Sequence, residues 1–307
     1  MKKDFLSIAD YSPEALQGIL DLALELKKER QNNGENKPIL KNKVLGMVFQ
    51  KPSLRTRVSF DMAMRHLGGD ALYLSPNEIG LGQRESIADV ARVLAGYVDV
   101  VMARVFAHQH VLDLAKWSDV PVINGLSDYD HPCQGMADAL TIVEKYGKLK
   151  GLNVTFVGDG NNVAVSLMHI CTKLGAHFTL AAPDGYDLPE KALAESKEFA
   201  AKSGSTISTL RDPHEAVKNA DVIYTDTWTS MGQEEETEKR KKVFPPYQVN
   251  DQLVSEASKD VIVMHCLPAH RNQEITDAVA DGPHSVLFPQ AHNRMHAQKA
   301  ILVSLFR

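Results

Sequence analysis

Five consecutive residues, Ser53-Leu54-Arg55-Thr56-Arg57, put two guanidinium groups and two hydroxyls side by side. A guanidinium presents a planar fork of donors that matches phosphate and carboxylate oxygens, and hydroxyls add more donors. The run follows an apolar segment, Val44–Phe49, and opens a pattern in which Phe60, Met64 and Leu67 recur at helical spacing. A strand-to-helix junction is expected, with Ser53 as N-cap and Gly68-Gly69 as the stop. The first turn of a helix carries unpaired N–H groups and a partial positive charge. Such a junction suits a small, highly charged oxyanion such as phosphate. The same residues also read as a plain capped helix with arginines on its wet face.

Five more polar groups stand just after apolar runs. Arg104 follows Val98–Ala103, and His131-Pro132-Cys133-Gln134 follows Val120–Asn124. Gly158-Asp159-Gly160-Asn161-Asn162 follows Leu152–Val157. Asp226-Thr227-Trp228-Thr229-Ser230-Met231-Gly232 follows Val222–Thr225, and His265-Cys266-Leu267-Pro268 follows Val261–Met264. Parallel α/β sheets bind ligands beyond the carboxyl ends of their strands, so the six groups together point to a cleft between two domains. The first three are rich in donors and lack a neutralising acid, which suits a phosphate or acyl phosphate. The last three offer an acid, an asparagine, a serine and a thiol, which suit an amino acid. Each has a bland alternative: His131 as a turn cap, Arg104 reaching for water, Cys266 as an inert thiol, Asp226 as a strand-end cap. The Gly158–Asn162 turn is also a degenerate dinucleotide fingerprint, with Val163 where the third glycine belongs, so nicotinamide binding is a competing reading.

The elements that must position these residues alternate along the chain. Further strands are expected at Ala71–Leu74, Phe178–Ala182, Thr206–Leu210 and Val286–Phe288, with long helices at Pro13–Arg30, Cys133–Lys145 and His292–Phe306. The expected fold is α/β, with two doubly wound domains on parallel sheets, linked by long helices, and the active site in the interdomain cleft. Residues 1–146 form the first domain, 147–290 the second, and 291–307 a C-terminal helix returning to the first. The charged stretch 233–242 reads as a solvated loop or helix edge, or as a mobile lid.

Composition narrows the class. The 307 residues are 44% hydrophobic and 24% charged, as in ordinary globular proteins, and the net charge of −5 argues against nucleic acid as a partner. Cys133, Cys171 and Cys266 form neither a disulfide framework nor a zinc spacing. No apolar run is long enough to span a membrane, and Met1-Lys2-Lys3-Asp4-Phe5 has no apolar region behind it, so a cytoplasmic protein without a signal peptide is expected.

Taken together, Phe49-Gln50-Lys51 before S-L-R-T-R, then H-P-C-Q, then H-C-L-P resemble the carbamoyltransferase family. The segment Asp226–Gly232 resembles its ornithine branch. The similarity runs from the first helix to Asn293-Arg294 and the last helix. It implies that carbamoyl phosphate is bound by Ser53, Leu54 through its backbone, Arg55, Thr56, Arg104, His131, Gln134, Cys266, Leu267 and Arg294. It implies that ornithine is bound by Asn162, Asp226, Ser230 and Met231, and that Arg55, Arg104, His131 and Cys266 are catalytic. The implied reaction is attack of the ornithine side-chain amine on the carbonyl of carbamoyl phosphate, giving citrulline and phosphate, as in arginine biosynthesis. No metal or organic cofactor is implied, and the family forms homotrimers or assemblies of trimers. An alkyl amine with a pKa of about 10.4 is neutral in only about a few molecules per ten thousand at pH 7, so the site must supply the neutral form. Asp226 and Cys266 are the candidates to position it and accept its proton. Relatives acting on putrescine or acetylornithine, or an inactive binding relative, are the alternatives. Two departures stand out: Leu54 replaces the family's usual threonine, and Gly80 stands where relatives place a glutamine or histidine that reaches a neighbouring subunit, with Gln83 or Arg84 as substitutes.

Overall fold

The computed structural model describes residues 3–229 and 234–306. The chain divides into two compact units, one of residues 1–140 with 292–307 and one of residues 141–291. Each unit is built on a wholly parallel sheet, so the expected α/β class and the two parallel sheets are observed.

In the first unit the strands are β1 (Val44–Phe49), β2 (Asp70–Leu74), β3 (Val100–Arg104) and β4 (Val122–Leu126), in spatial order β2-β1-β3-β4. Strands β1 and β3 are buried along nearly their whole length, as sheets covered on both faces require. Phe5 pairs with Ile123 and covers the β4 edge. The Leu54–His66 helix returns over the sheet and buries Phe60, Ala63 and Met64. Fully burying a side chain such as Phe60 contributes about 1.5–3 kcal/mol. Gly69 lets the chain re-enter β2, because a Cβ there would sit 2.8 Å from the carbonyl oxygen of Lys43.

In the second unit the strands are β5 (Asn153–Val157), β6 (His177–Ala181), β7 (Ile207–Leu210), β8 (Val222–Thr225) and β9 (Ile262–His265), in spatial order β7-β6-β5-β8-β9. Each order reverses direction once, between β1 and β3 in one sheet and between β5 and β8 in the other. These are the topological switch points where such sheets leave a crevice for ligands.

The long helices Pro132–Tyr146 and Leu287–Leu305 each begin in one unit's residue range and end in the other's. The strand expected at Val286–Phe288 is absent. Only Ser285 bridges to Val263, and Leu287 already starts the final helix. Three apolar residues are too few to display either a period of two or one of 3.6. Within the charged stretch, Thr237–Val243 is a short helix and Arg240 is buried rather than solvated; Gln233 lies outside the described residues. Among the described residues no helix is long and apolar enough to cross a membrane.

Candidate active site

In the first unit, the start of the Leu54–His66 helix, the end of β3 and the final helix converge on Thr56. Ser53 is extended and caps the Leu54–His66 helix, its Oγ accepting from the Thr56 N–H at 3.3 Å. The Ser53 hydroxyl also donates to Thr56 Oγ1 at 3.1 Å. That oxygen receives Arg104 Nη1 at 3.4 Å and Arg294 Nη2 at 3.3 Å. Arg104 ends β3, beside a register irregularity against β4, and Arg294 comes from the final helix. Its Nη1 donates to Gln134 Oε1 at 2.7 Å. Thr56, Arg104, Gln134, His131 and Arg294 are all buried. Neutral oxygens of Thr56 and Gln134 thus help to orient the two guanidiniums side by side, as suits a pocket for an anionic guest.

His131 precedes the Pro132–Tyr146 helix, and its carbonyl accepts from the Gln134 and Gly135 N–H groups, so it is also the expected cap. Its ring is buried, and burial together with Arg294, Arg104 and Lys51 holds its pKa well below the usual histidine value. The imidazole is therefore neutral at physiological pH and presents a single N–H donor. Arg55 is half-buried in the first turn of the Leu54–His66 helix. Leu54 is 74% exposed, so the departing side chain leaves the pocket and only its backbone remains there. The second arginine of the run behaves differently: Arg57 is exposed and stacks over the Tyr73 ring at 4.1 Å.

In the second unit, the ends of β5, β8 and β9 meet at Asp226. Its Oδ1 accepts from the Thr227 N–H at 2.8 Å and from Cys266 Sγ at 3.1 Å, and its Oδ2 accepts from Asn161 Nδ2 at 2.9 Å. Asn161 cannot turn over, because its own oxygen caps the Asn162–Leu174 helix by accepting from Val163 and Ala164. Asn162 opens that helix and is half-buried. Leu267 follows Cys266 with a φ of 59°, a left-handed conformation that costs a branched residue about 1–2 kcal/mol. It is held there by its N–H, which donates to His265 Nδ1 at 2.9 Å, while His265 Nε2 is paired with the buried Glu274 at 3.0 Å. Asn161 and His265 stand in the polar groups that the sequence marks but are given no role there, and Glu274 is not marked at all. Ser230 and Met231 lie outside the described residues.

The ligand atoms of Asp226, His265 and Cys266 lie within 4.8 Å of one another. Both ring nitrogens of His265 are already engaged, so a metal there would have to displace Glu274 or the Leu267 N–H. The glycine-rich turn does not open toward a dinucleotide. Gly160 packs on the Asp187 backbone, where a Cβ would come within 2.5 Å, and the helix start behind it is capped by Asn161. Arg240 ties this turn to the β8 loop by donating to Asp159 at 2.6 Å and to the Trp228 carbonyl at 2.8 Å.

Gly80 ends a short helix with a φ of 49°, and Gln83 and Arg84 after it are exposed.

Comparison with known proteins agrees with this division of chemistry. Residues 3–144 match the family model described as the aspartate/ornithine carbamoyltransferase carbamoyl-P binding domain, and residues 150–305 match the Asp/Orn binding domain of the same family. The chain is 54% identical over 303 residues to the ornithine carbamoyltransferase of Anoxybacillus flavithermus, covering 99% of this chain and 96% of that one. It is 55% identical over 300 residues to a protein of Pyrococcus furiosus named "Ornithine carbamoyltransferase, anabolic", covering 98% of this chain and 95% of that one. The solved structure of the ornithine carbamoyltransferase from Pyrococcus furiosus superposes with a TM-score of 0.94 at 55% identity, over 97% of this chain and 95% of that one.

Proposed function

The chain belongs to the aspartate/ornithine carbamoyltransferase family, and on that premise we propose how its residues carry out the reaction. It transfers the carbamoyl group of carbamoyl phosphate to the side-chain amine of L-ornithine, giving L-citrulline and phosphate. The observation that carries the assignment of the phosphate half is the buried pair of arginines, Arg104 and Arg294, both donating to the hydroxyl of Thr56 at the Ser53-capped start of the Leu54–His66 helix.

Phosphate is already a good leaving group, so the protein's task is orientation and electrostatics. Ser53, the Leu54 backbone, Arg55, Thr56 and Arg294 hold the phosphate at the helix start. Arg104, Thr56 and the neutral His131 donate to the carbonyl oxygen as negative charge develops there. A neutral imidazole suits this role, because it stabilises the oxyanion without delivering a proton to it. Gln134 engages the carbamoyl amide. Asn162, Asp226, Ser230 and Met231 hold ornithine, and Asp226 with Cys266 orients the amine and takes up its proton. The Leu267 backbone borders the carbonyl. The nucleophilic nitrogen forms its bond to the carbonyl carbon, the tetrahedral intermediate collapses, and the C–O bond to phosphate breaks.

The enzyme works in the cytoplasm, and it runs in the synthetic direction of arginine metabolism, which the word "anabolic" in the name of the Pyrococcus furiosus relative supports. Its carbamoyl phosphate-binding domain is residues 1–146 and its ornithine-binding domain residues 147–290, with 291–307 returning to the first. It assembles as a homotrimer or a set of trimers. The first unit leaves Leu72, Val93 and Tyr97 exposed and opens a groove lined by Leu74, Ile79, Val93 and Leu94, an apolar surface suited to a second copy. Gln83 or Arg84 takes over the cross-subunit contact that Gly80 lacks.

Arg55→Ala tests the phosphate assignment. Its KM for carbamoyl phosphate should rise by about 10–100-fold, the worth of one charge-assisted hydrogen bond, while the KM for ornithine stays close to the original. Equal effects on both substrates would overturn the assigned pocket.

A further inference from the structure

Gln134 sits in a chain of hydrogen bonds that runs one way. Its amide nitrogen donates to Asp138 Oδ1 at 2.7 Å, and its amide oxygen accepts from Arg294 Nη1 at 2.7 Å. Asp138 lies one turn further along the same helix and is fully buried, as are Gln134 at 1% and Arg294 at 3% exposure. A guanidinium can only donate and a carboxylate can only accept, so with its nitrogen anchored on Asp138 the amide turns its oxygen to Arg294. A buried carboxylate is costly unless it serves a partner, and this one grips the amide of a residue that is itself in contact with the phosphate-pocket arginine.

We propose that Asp138 is a positioning residue that sets the polarity of Gln134. By holding the amide nitrogen, it keeps an acceptor rather than a donor beside Arg294 on the pocket side. The inference rests on the carbamoyl phosphate reading above and deepens it. An acceptor there selects acyl phosphates whose acyl group carries an N–H donor, and discriminates against the same molecule with a methyl group in that place. Had the amide been reversed, its N–H would face the Arg294 guanidinium donor, and the site would match a carbonyl oxygen instead.

The test is calorimetric binding of three probes to the full-length protein. Phosphonoacetamide carries the NH2 group, acetonylphosphonate carries a methyl in its place, and inorganic phosphate reports the anion pocket alone. The unmodified protein should prefer phosphonoacetamide by about 10–100-fold, the size of one buried hydrogen bond left unmade. Asp138→Ala should lose most of that preference while binding inorganic phosphate much as before. Asp138→Asn, which retains an acceptor oxygen, should keep it. A residue that merely supports the fold would weaken all three probes together and leave the ratio intact, and that result overturns the proposal. So does equal affinity of the unmodified protein for both phosphonates, or loss of the preference in Asp138→Asn; these two decide the matter if Asp138→Ala does not fold. If the unmodified protein binds none of the probes, the phosphate-pocket reading fails and takes the proposal with it, an outcome distinct from binding without preference.

Discussion

Replacing Asp226 with asparagine preserves its shape, removes its charge and reverses one end of its hydrogen bonding. In the native protein both carboxylate oxygens only accept: Oδ1 from the Thr227 N–H and the Cys266 thiol, Oδ2 from Asn161. An asparagine must turn its NH2 toward one of these donors. Asn161 cannot adapt, because its oxygen is committed to the helix start at Val163 and Ala164. One buried donor is then left unsatisfied, at about 1–3 kcal/mol, and the charge-assisted bond to the substrate amine is lost, at about 1.5–3 kcal/mol. The sum is centred on about 4 kcal/mol, or about 10³ in kcat/KM for ornithine, since 1.36 kcal/mol is tenfold. Initial rates measured with each substrate varied at saturation of the other should show this loss for ornithine and little change in the KM for carbamoyl phosphate. A thermal melt checks that the variant is folded. A folded variant that loses less than about fivefold, below the cost of even one unsatisfied donor, would refute the role given to Asp226. So would an equal effect on both substrates.

Three further outcomes are expected. His131→Gln should lower kcat by about 10²–10³, the usual effect of deleting one oxyanion donor, without changing the shape of the pH–rate profile between pH 6 and 9. Disappearance of a limb near pH 6.5 in the variant would show that His131 titrates there, contrary to its depressed pKa. Activity of the unmodified enzyme should rise through the neutral range as the ornithine amine deprotonates, and a flat profile from pH 6 to 9 with chemistry rate-limiting would contradict the neutral-nucleophile requirement. Stability should fall as the solution is acidified below pH 6.5. Burial, then Lys299 and Lys27, pushes His296 down to about 3, so the unfolded chain takes up a proton over this interval that the folded chain refuses. Urea midpoints at pH 7.5 and 5 should therefore differ less in His296→Gln than in the unmodified protein, and an unchanged difference would exclude His296 as a contributor.

Much of the architecture is legible in the sequence because parallel strands are short apolar runs that end in polar residues. All but one of the expected strands were found, with ends shifted by at most two residues. The exception, Val286–Phe288, is a helix start whose apolar residues mimic a strand over too short a span. The residues proposed to face ligands stand out for the same reason: Arg104 ends a strand, Thr56, Asn162, Asp226 and Cys266 follow strand ends, and their residue types suit the chemistry. Their supporting partners were not. Asp138 is an ordinary helical acid until Gln134 and Arg294 are seen beside it, and Glu274 and Asn161 acquire meaning only from His265 and Asp226 across the sheet. Such partnerships arise from tertiary placement, and no periodicity encodes them. The fate of Arg57, stacked on Tyr73 rather than turned to the anion, likewise depends on which face of the helix meets β2.

What accepts the carbamoyl group defines the enzyme. The decisive measurement is kcat/KM with saturating carbamoyl phosphate against ornithine, putrescine, acetylornithine and aspartate, with the carbamoylated product identified by mass. Ornithine should exceed each of the others by about a hundredfold or more, giving citrulline and one phosphate per turnover, because the site's buried polar groups are left unpaired by the wrong amine. A comparable or higher value for putrescine, acetylornithine or aspartate would contradict the substrate assignment, and the absence of any carbamoylated product would contradict the reaction itself.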